Sequence, residues 1–189
     1  MKITETDIPG VLIIDPDVHG DQRGWFMETW QEQRYAEAGI PGPFVQDNMA
    51  LSSHGILRGL HLQHPHAQGK LVQVILGEVY DVAVDARRGS PHFGQWVGVI
   101  LSGDTRRQLW VPPGFAHGYV VTSNQAIFSY KCTDFYHPEN ELSIRWDDED
   151  IGIDWPIVGQ PSLSGKDADA PMLREIAAER LPDTCHDCQ

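Results

Sequence analysis

Nothing in the sequence approaches the run of about 18 apolar residues that a membrane-crossing helix needs. The opening stretch, MKITETDIPG, has no apolar segment of signal-peptide length. Basic residues are few: 14 Lys and Arg stand against 27 Asp and Glu, for a formal net charge of −13. That balance argues against nucleic acid as a partner, because a phosphate backbone is held by Lys and Arg. An anionic ligand would need a local positive cluster set against the global field. Cysteine is scarce too. An odd set of three (Cys132, Cys185 and Cys188) without a leader points to reduced thiols and a cytoplasmic location. CHDC at 185–188 has CxxC spacing, but no second pair completes a zinc site, and it reads as a mobile tail. Internal repeats and low-complexity linkers are also lacking.

What the chain has is a succession of short apolar runs broken by Gly, Pro, Asp and Ser. Its 189 residues suffice for one domain, or one domain with an appendage, around a real core. Hydrophobic residues at 41% and charged residues at 22% are those of a globular protein. VLIID (11–15), GWFMETW (24–30), VQDNMALS (45–52), ILRGLHLQ (56–63), KLVQVIL (70–76) and EVYDVAVD (78–85) read as strands. So do QWVGVIL (95–101), RQLWV (107–111), GYVVTS (118–123), AIFSYKCTDFY (126–136) and LSIRW (142–146). Several alternate apolar and polar residues, as half-buried antiparallel strands do. Gly77-Glu78 interrupts one long pattern and suggests a hairpin turn. Turn signals recur roughly every 8–12 residues, which points to an all-β sandwich or barrel. Helical signal is limited to QEQRYAEAG (31–39), ended by Gly39, and PMLREIAAERL (171–181), with Leu173, Ile176, Ala177 and Leu181 on one face. The acidic stretch after 147 reads as a loop packed on the barrel. Trp25, Trp96, Trp110, Trp146 and Trp155 read as packing residues.

The densest chemistry lies in LRGLHLQHPHAQGK (57–70), with His61, His64, His66 and Lys70. Metal-binding cupin barrels carry Gly-x5-His-x-His-x3–4-Glu-x6-Gly and a later Pro-x-Gly-x2-His. Gly55 and His61 match the start, and Pro112, Gly114 and His117 match the later element. Gln63 stands where the second histidine ligand belongs, and Lys70 stands in the slot of the glutamate. A protonated lysine has no lone pair and cannot ligate a cation. No metal is therefore expected in this site, and His64 and His66, around Pro65, read as solvent-exposed loop residues. A lysine can instead stabilise an oxyanion as a fixed charge. A histidine can take a proton from carbon when such an acceptor is near. His61 and Lys70 are thus a candidate enolising pair.

The stretches DQRGWFMETW (21–30), FVQDNMALSSHGILRGLHLQ (44–63), QGKLVQVILGEVYDVAVDAR (68–87), SPHFGQW (90–96), VPPGFAHGY (111–119), YKCTDFYHPENE (130–141) and LSGKDADAP (163–171) resemble the dTDP-4-dehydrorhamnose 3,5-epimerase family, from about residue 3 to about 172. The resemblance implies a cupin-like jelly-roll barrel with short peripheral helices, in an epimerase domain of residues 1–172. A C-terminal helix and tail would occupy 173–189. It also implies a homodimer, no cofactor, and a dTDP-linked 4-keto-6-deoxy sugar as substrate. His61 matches the base, Asp167 the carboxylate that orients it (with Asp169 as a competitor), Lys70 the group facing the keto oxygen, and Tyr130 the acid on the opposite face. Arg23 and Arg58 match groups that hold the diphosphate and sugar. Phe26, Glu28, Gln46, Asn48, His117, Glu141 and Lys166 fall on substrate-contact positions. The expected activity is inversion at C3 and C5 in dTDP-L-rhamnose-type biosynthesis. The rivals are an epimerase acting at one centre and a sugar- or metal-binding cupin without catalysis.

Overall fold

A computed structural model describes residues 1–184, so the CHDC stretch at 185–188 lies outside the described residues. The alternating runs form two antiparallel sheets. In spatial order the first holds β1 (Lys2–Glu5), β2 (Leu12–Asp15), β10 (Gln108–Val111), β7 (Lys70–Leu76), β12 (Gln125–Cys132) and β5 (Gln46–Ser53). The second holds β13 (Glu141–Ser143), β6 (Leu57–Gln63), β11 (Phe115–Val121), β8 (Glu78–Asp85) and β9 (Trp96–Ser102). Among the described residues, a ribbon of β3 (Val18–Asp21) and β4 (Gly24–Met27) pairs only with itself. β1 and β3 are strands that the apolar pattern does not announce. The run 24–30 is strand only as far as Met27.

Three apolar layers hold the sheets. Val72, Val74, Leu109 and Phe128 of the first sheet meet Val79, Ala83, Leu101 and Val121 of the second inside the barrel. On the outer face of the second sheet, Leu57, Leu60, Leu62, Val82, Val84 and Val120 are covered by Ile144, Ile151, Trp155, Leu173 and Leu181. On the outer face of the first, Ile14, Leu71 and Trp110 are covered by Tyr35 and Ile40. A strand covered on both faces reads as a continuous apolar run, and every residue of β11 is buried.

Three local expectations are corrected. Gly77-Glu78 is not a hairpin turn: β7 and β8 belong to different sheets, and Gly77 is the corner between them. Its φ is +78°, and a Cβ there would collide with the Gln125 carbonyl, so only glycine fits. The helix over 171–181 is replaced by two 3-10 turns, Leu173–Glu175 and Ala178–Arg180, joined through extended Ile176 and Ala177. Tertiary bonds outweigh local propensity here. Asp148 Oδ2 accepts the Leu173 N–H at 2.6 Å, Arg88 N–H reaches Pro182 O at 2.7 Å, and the open spacing lets Leu173 and Leu181 both reach the sheet while Ala177 stays exposed. Trp25 is 55% exposed rather than packed inside, and the Arg106 guanidinium lies 4.4 Å from its ring centroid. The first helix, α1 (Glu32–Glu37), forms as the pattern suggests, with the Gln31 side chain capping Arg34 N–H and Gly39 following its end. Among the described residues no helix is long and apolar enough to cross a membrane.

Candidate active site

Strand alternation delivers the polar residues to one place. Gln46, Asn48 and Ala50 on β5, Phe128, Tyr130 and Cys132 on β12, and Lys70 on β7 face a cavity of about 560 Å³ from the first sheet. Arg58 and His61 on β6, with His117 and Tyr119 on β11, face it from the second. Arg58 and His61 are three apart, so in a regular strand they would point to opposite faces. A β-bulge resolves this: Tyr119 pairs with Arg58 and His117 with His61, so β6 carries one residue more than β11 between the two pairs. Gly59 lies in that segment at φ +129°, and a Cβ on it would approach Gly118 Cα to 2.5 Å and His117 O to 2.8 Å.

His61 Nε2 and Asp167 Oδ1 are 2.6 Å apart. Asp167 sits on α2 (Gly165–Ala168), where the Ser164 hydroxyl accepts its backbone N–H. Burial alone would raise the Asp167 carboxyl. The hydrogen bond and charge of His61, helped by Ser164 and Lys166, outweigh it and hold the group below the usual carboxylate range. With that carboxylate ionised, Nε2 carries the proton and Nδ1 keeps the lone pair. Asp169, the competitor, is exposed at the end of α2 and does not line the cavity.

Lys70 is buried, and its Nζ lies 3.5 Å from His61 O. Burial pushes its ammonium down, while Cys132, Glu141 and Asp81 oppose that. Tyr130 approaches from β12, across the cavity from His61. Burial, reinforced by Cys132 and Tyr119, pushes its phenol up to about 12, so it stays a proton donor at neutral pH. Arg58 is exposed at the mouth, with Nε on Ser52 Oγ at 3.1 Å. Lys166 reaches Glu141 at 2.8 Å, and Tyr136 Oη donates to Glu141 at 3.1 Å. The cavity thus gathers His61, Tyr130, Asp167, Lys70, Arg58, Gln46, Asn48, His117, Glu141 and Lys166. It does not gather Arg23, Phe26 and Glu28. Arg23 and Phe26 lie on the β3–β4 ribbon, and Glu28, just beyond it, pairs with Arg34.

Asp81, which no motif singled out, is wholly buried, and His117 Nε2 lies 2.9 and 3.0 Å from its carboxylate oxygens. Burial pushes this carboxyl up, against His117 and Lys70. A signal was present: Asp81 is a charge at the inward position between Val79 and Ala83, in the middle of the run VYDVAV. Gln63 at the cupin ligand position braces loops instead, accepting His137 N–H at 2.8 Å and donating to Phe135 O at 3.0 Å. His64 is half-buried rather than exposed, while His66 is exposed.

The family profile described as dTDP-4-dehydrorhamnose 3,5-epimerase matches residues 5–175. The chain belongs to the dTDP-4-dehydrorhamnose 3,5-epimerase family. It is 55% identical over 168 residues to the dTDP-4-dehydrorhamnose 3,5-epimerase of Pseudomonas aeruginosa, covering 88% of this chain and 93% of that one. The Legionella pneumophila dTDP-6-deoxy-D-glucose-3,5-epimerase, solved in complex with dTDP-4-keto-L-rhamnose, superposes with a TM-score of 0.94 at 56% identity, over 96% of this chain and 97% of that one. A 3'-monoepimerase from Streptomyces bikiniensis, in complex with dTDP-quinovose, superposes at 0.87 with 34% identity, over 94% and 91%. The cupin-like barrel of the epimerase family is thus the fold of this chain.

Proposed function

We propose that the chain is an isomerase that inverts C3 and C5 of dTDP-4-dehydro-6-deoxy-D-glucose to give dTDP-4-dehydro-L-rhamnose, in deoxysugar biosynthesis and without a cofactor. The observation that carries this reading is geometric. A carboxylate-bonded imidazole and a protonated phenol face one cavity from opposite sheets, with a buried lysine beside them. The C4 ketone of such a sugar acidifies the hydrogens on C3 and C5. His61 Nδ1 takes one of these protons, the C–H pair becomes the C=C bond, and the carbonyl π pair moves onto oxygen. The Lys70 ammonium stabilises that enolate oxygen, more strongly for being shielded from water. Tyr130 then gives its phenolic proton to the carbon's other face as the ketone reforms, and solvent resets both groups. Repetition at the second carbon completes the reaction. Asp167 holds the tautomer that leaves Nδ1 basic and stabilises the imidazolium. Arg58 and Lys166 at the mouth suit the diphosphate, and Gln46, Asn48, Glu141 and His117 offer polar contacts to sugar and base.

The reading includes a homodimer. Arg23, Phe26 and Glu28 lie outside the chain's own cavity, and Phe26 is 69% exposed. Met49 and Leu51, at 69% and 64%, stand on β5, the last strand of its sheet among the described residues. Bare apolar side chains on an edge and on a projecting ribbon support burial against a second copy, whose cavity the ribbon would complete. Light scattering should return twice the 21.2 kDa chain mass.

The deciding experiment is incubation with dTDP-4-keto-6-deoxyglucose in D₂O, read by proton NMR. Deuterium should enter at C3 and C5, and His61→Ala should abolish both exchanges; near-normal exchange in that variant would sink the mechanism. The likeness to a monoepimerase makes inversion at one centre the second reading, and exchange at a single carbon would select it. Binding without exchange would select a non-catalytic sugar-binding cupin.

A further inference from the structure

The histidine-rich stretch contributes a residue that the cavity does not use. His66 stacks on His137 with ring centroids 4.4 Å apart and planes 19° from parallel. His66 Nδ1 lies 3.5 Å from Asp134 Oδ2, and His137 Nδ1 lies 3.4 Å from Glu139 Oε1. One ligand atom from each of His66, Asp134 and His137 falls within 4.8 Å of the other two. We propose that these three side chains form a binding site for a divalent transition metal of the zinc type, outside the cavity and independent of the epimerase reading.

Two imidazoles and one carboxylate are a donor set for zinc or its neighbours, whereas magnesium and calcium take oxygen ligands. The backbone that carries the donors is already tied. Gln63 is buried between the two loops and bonds to His137 N–H, Phe135 O and His66 O. Asn140 Nδ2 adds a bond to Pro65 O at 3.3 Å. Such outer contacts orient metal ligands and reduce the ordering cost of binding. Metal–nitrogen bonds of about 2.0–2.1 Å in a tetrahedron put ligand atoms roughly 3.4 Å apart, a spacing that His66 Nδ1 and Asp134 Oδ2 already hold at 3.5 Å. The stacked rings cannot both hold an ion in plane. Binding must therefore turn one of them, and exposed His66 is free to turn. Water or Glu139 would complete the shell. None of the three proposed ligands lines the cavity, but their neighbour Tyr136 does.

The test uses untagged, chelator-treated protein carrying Cys185→Ser and Cys188→Ser, so that CHDC cannot contribute. Calorimetric titration with ZnCl₂ should show one equivalent per chain with a dissociation constant of about 10 μM or tighter. Co²⁺ should give the visible bands of a tetrahedral N/O site, without thiolate charge transfer. His66→Ala, His66→Gln and His137→Ala should each weaken zinc binding at least tenfold. Deuterium exchange should stay at the wild-type rate. His66→Gln keeps the test informative if His137→Ala misfolds. Zinc uptake that is absent or millimolar, or that His66→Ala and His66→Gln leave unchanged, overturns the assignment.

Discussion

Replacing Lys70 by Met should move stability and activity in opposite directions. Lys70 is only 8% exposed, and no carboxylate lies within ion-pair distance of it among the described residues. Methionine keeps the aliphatic stem and removes a buried charge, an exchange expected to stabilise by about 1–3 kcal/mol. For a chain of this size that raises Tm by roughly 2–12 °C. The gain must depend on pH. Burial depresses the folded-state pKa, so below it both states hold the proton and the burial penalty is complete. Between it and the ordinary value of about 10.4, the unfolded chain keeps a proton that the folded chain has lost, and wild-type stability rises with pH. Above about 10.4 the penalty is gone. Urea melts of both proteins from pH 7 to pH 10 should therefore show the wild type gaining on Lys70→Met as pH rises. In the same variant, loss of the oxyanion partner should lower kcat by about 10²–10³-fold. A variant less stable at every pH, or a stability difference flat across the range, would refute the burial argument. Near-normal turnover would refute the role at the enolate.

Three further outcomes follow from the geometry. Asp167→Asn should lower kcat by about 10²–10⁴-fold with KM little changed, because the amide leaves His61 in the wrong tautomer; Asp169→Asn, exposed at the end of α2, should match wild type in the same steady-state assay. Tyr130→Phe should keep solvent exchange while net inversion falls by about 10²–10⁴-fold, measured by NMR of exchange against product; equal loss of both would give Tyr130 a different role. Gly59→Ala should destabilise by about 2–5 kcal/mol in thermal melts, because positive φ and a collision with Gly118 act together, whereas Gly55→Ala, at φ +75° with open space around it, should cost only about 1 kcal/mol.

The strands were legible because one face of each meets the barrel interior, and alternation is visible wherever the other face is solvent, as in β5. Where a second apolar layer covers the sheet, as on β11, alternation vanishes and only the run of apolar residues remains. The C-terminal segment misled for the opposite reason. Its 3.6-residue pattern is genuine, but bonds to Asp148 and Arg88, remote in sequence, decide its path. Asp81 was legible only as an anomaly, a charge inside VYDVAV. Its pairing with His117 depends on the alignment of β8 beside β11, which no local pattern encodes. Arg23, Phe26 and Glu28 could be chosen as positions but not assembled, since a single chain does not bring them to the cavity.

How the site assembles comes down to a count of residues as much as to their chemistry. Arg58 and His61 are both needed at the cavity, yet they sit three apart on one strand. If β6 paired regularly with β11, turning His61 inward would turn Arg58 outward and carry Leu57 into the barrel. The bulge at Gly59 adds the residue that lets Leu57, Leu60 and Leu62 all face the outer layer while Arg58, His61 and Gln63 face away from it. The same residue sets His61 beside α2, where Asp167 waits, and opposite His117, which Asp81 holds. A register fault at this strand would thus part His61 from Asp167 and from the cavity without changing a single catalytic side chain. This is why a glycine that touches no substrate is expected to be among the least replaceable residues of the site.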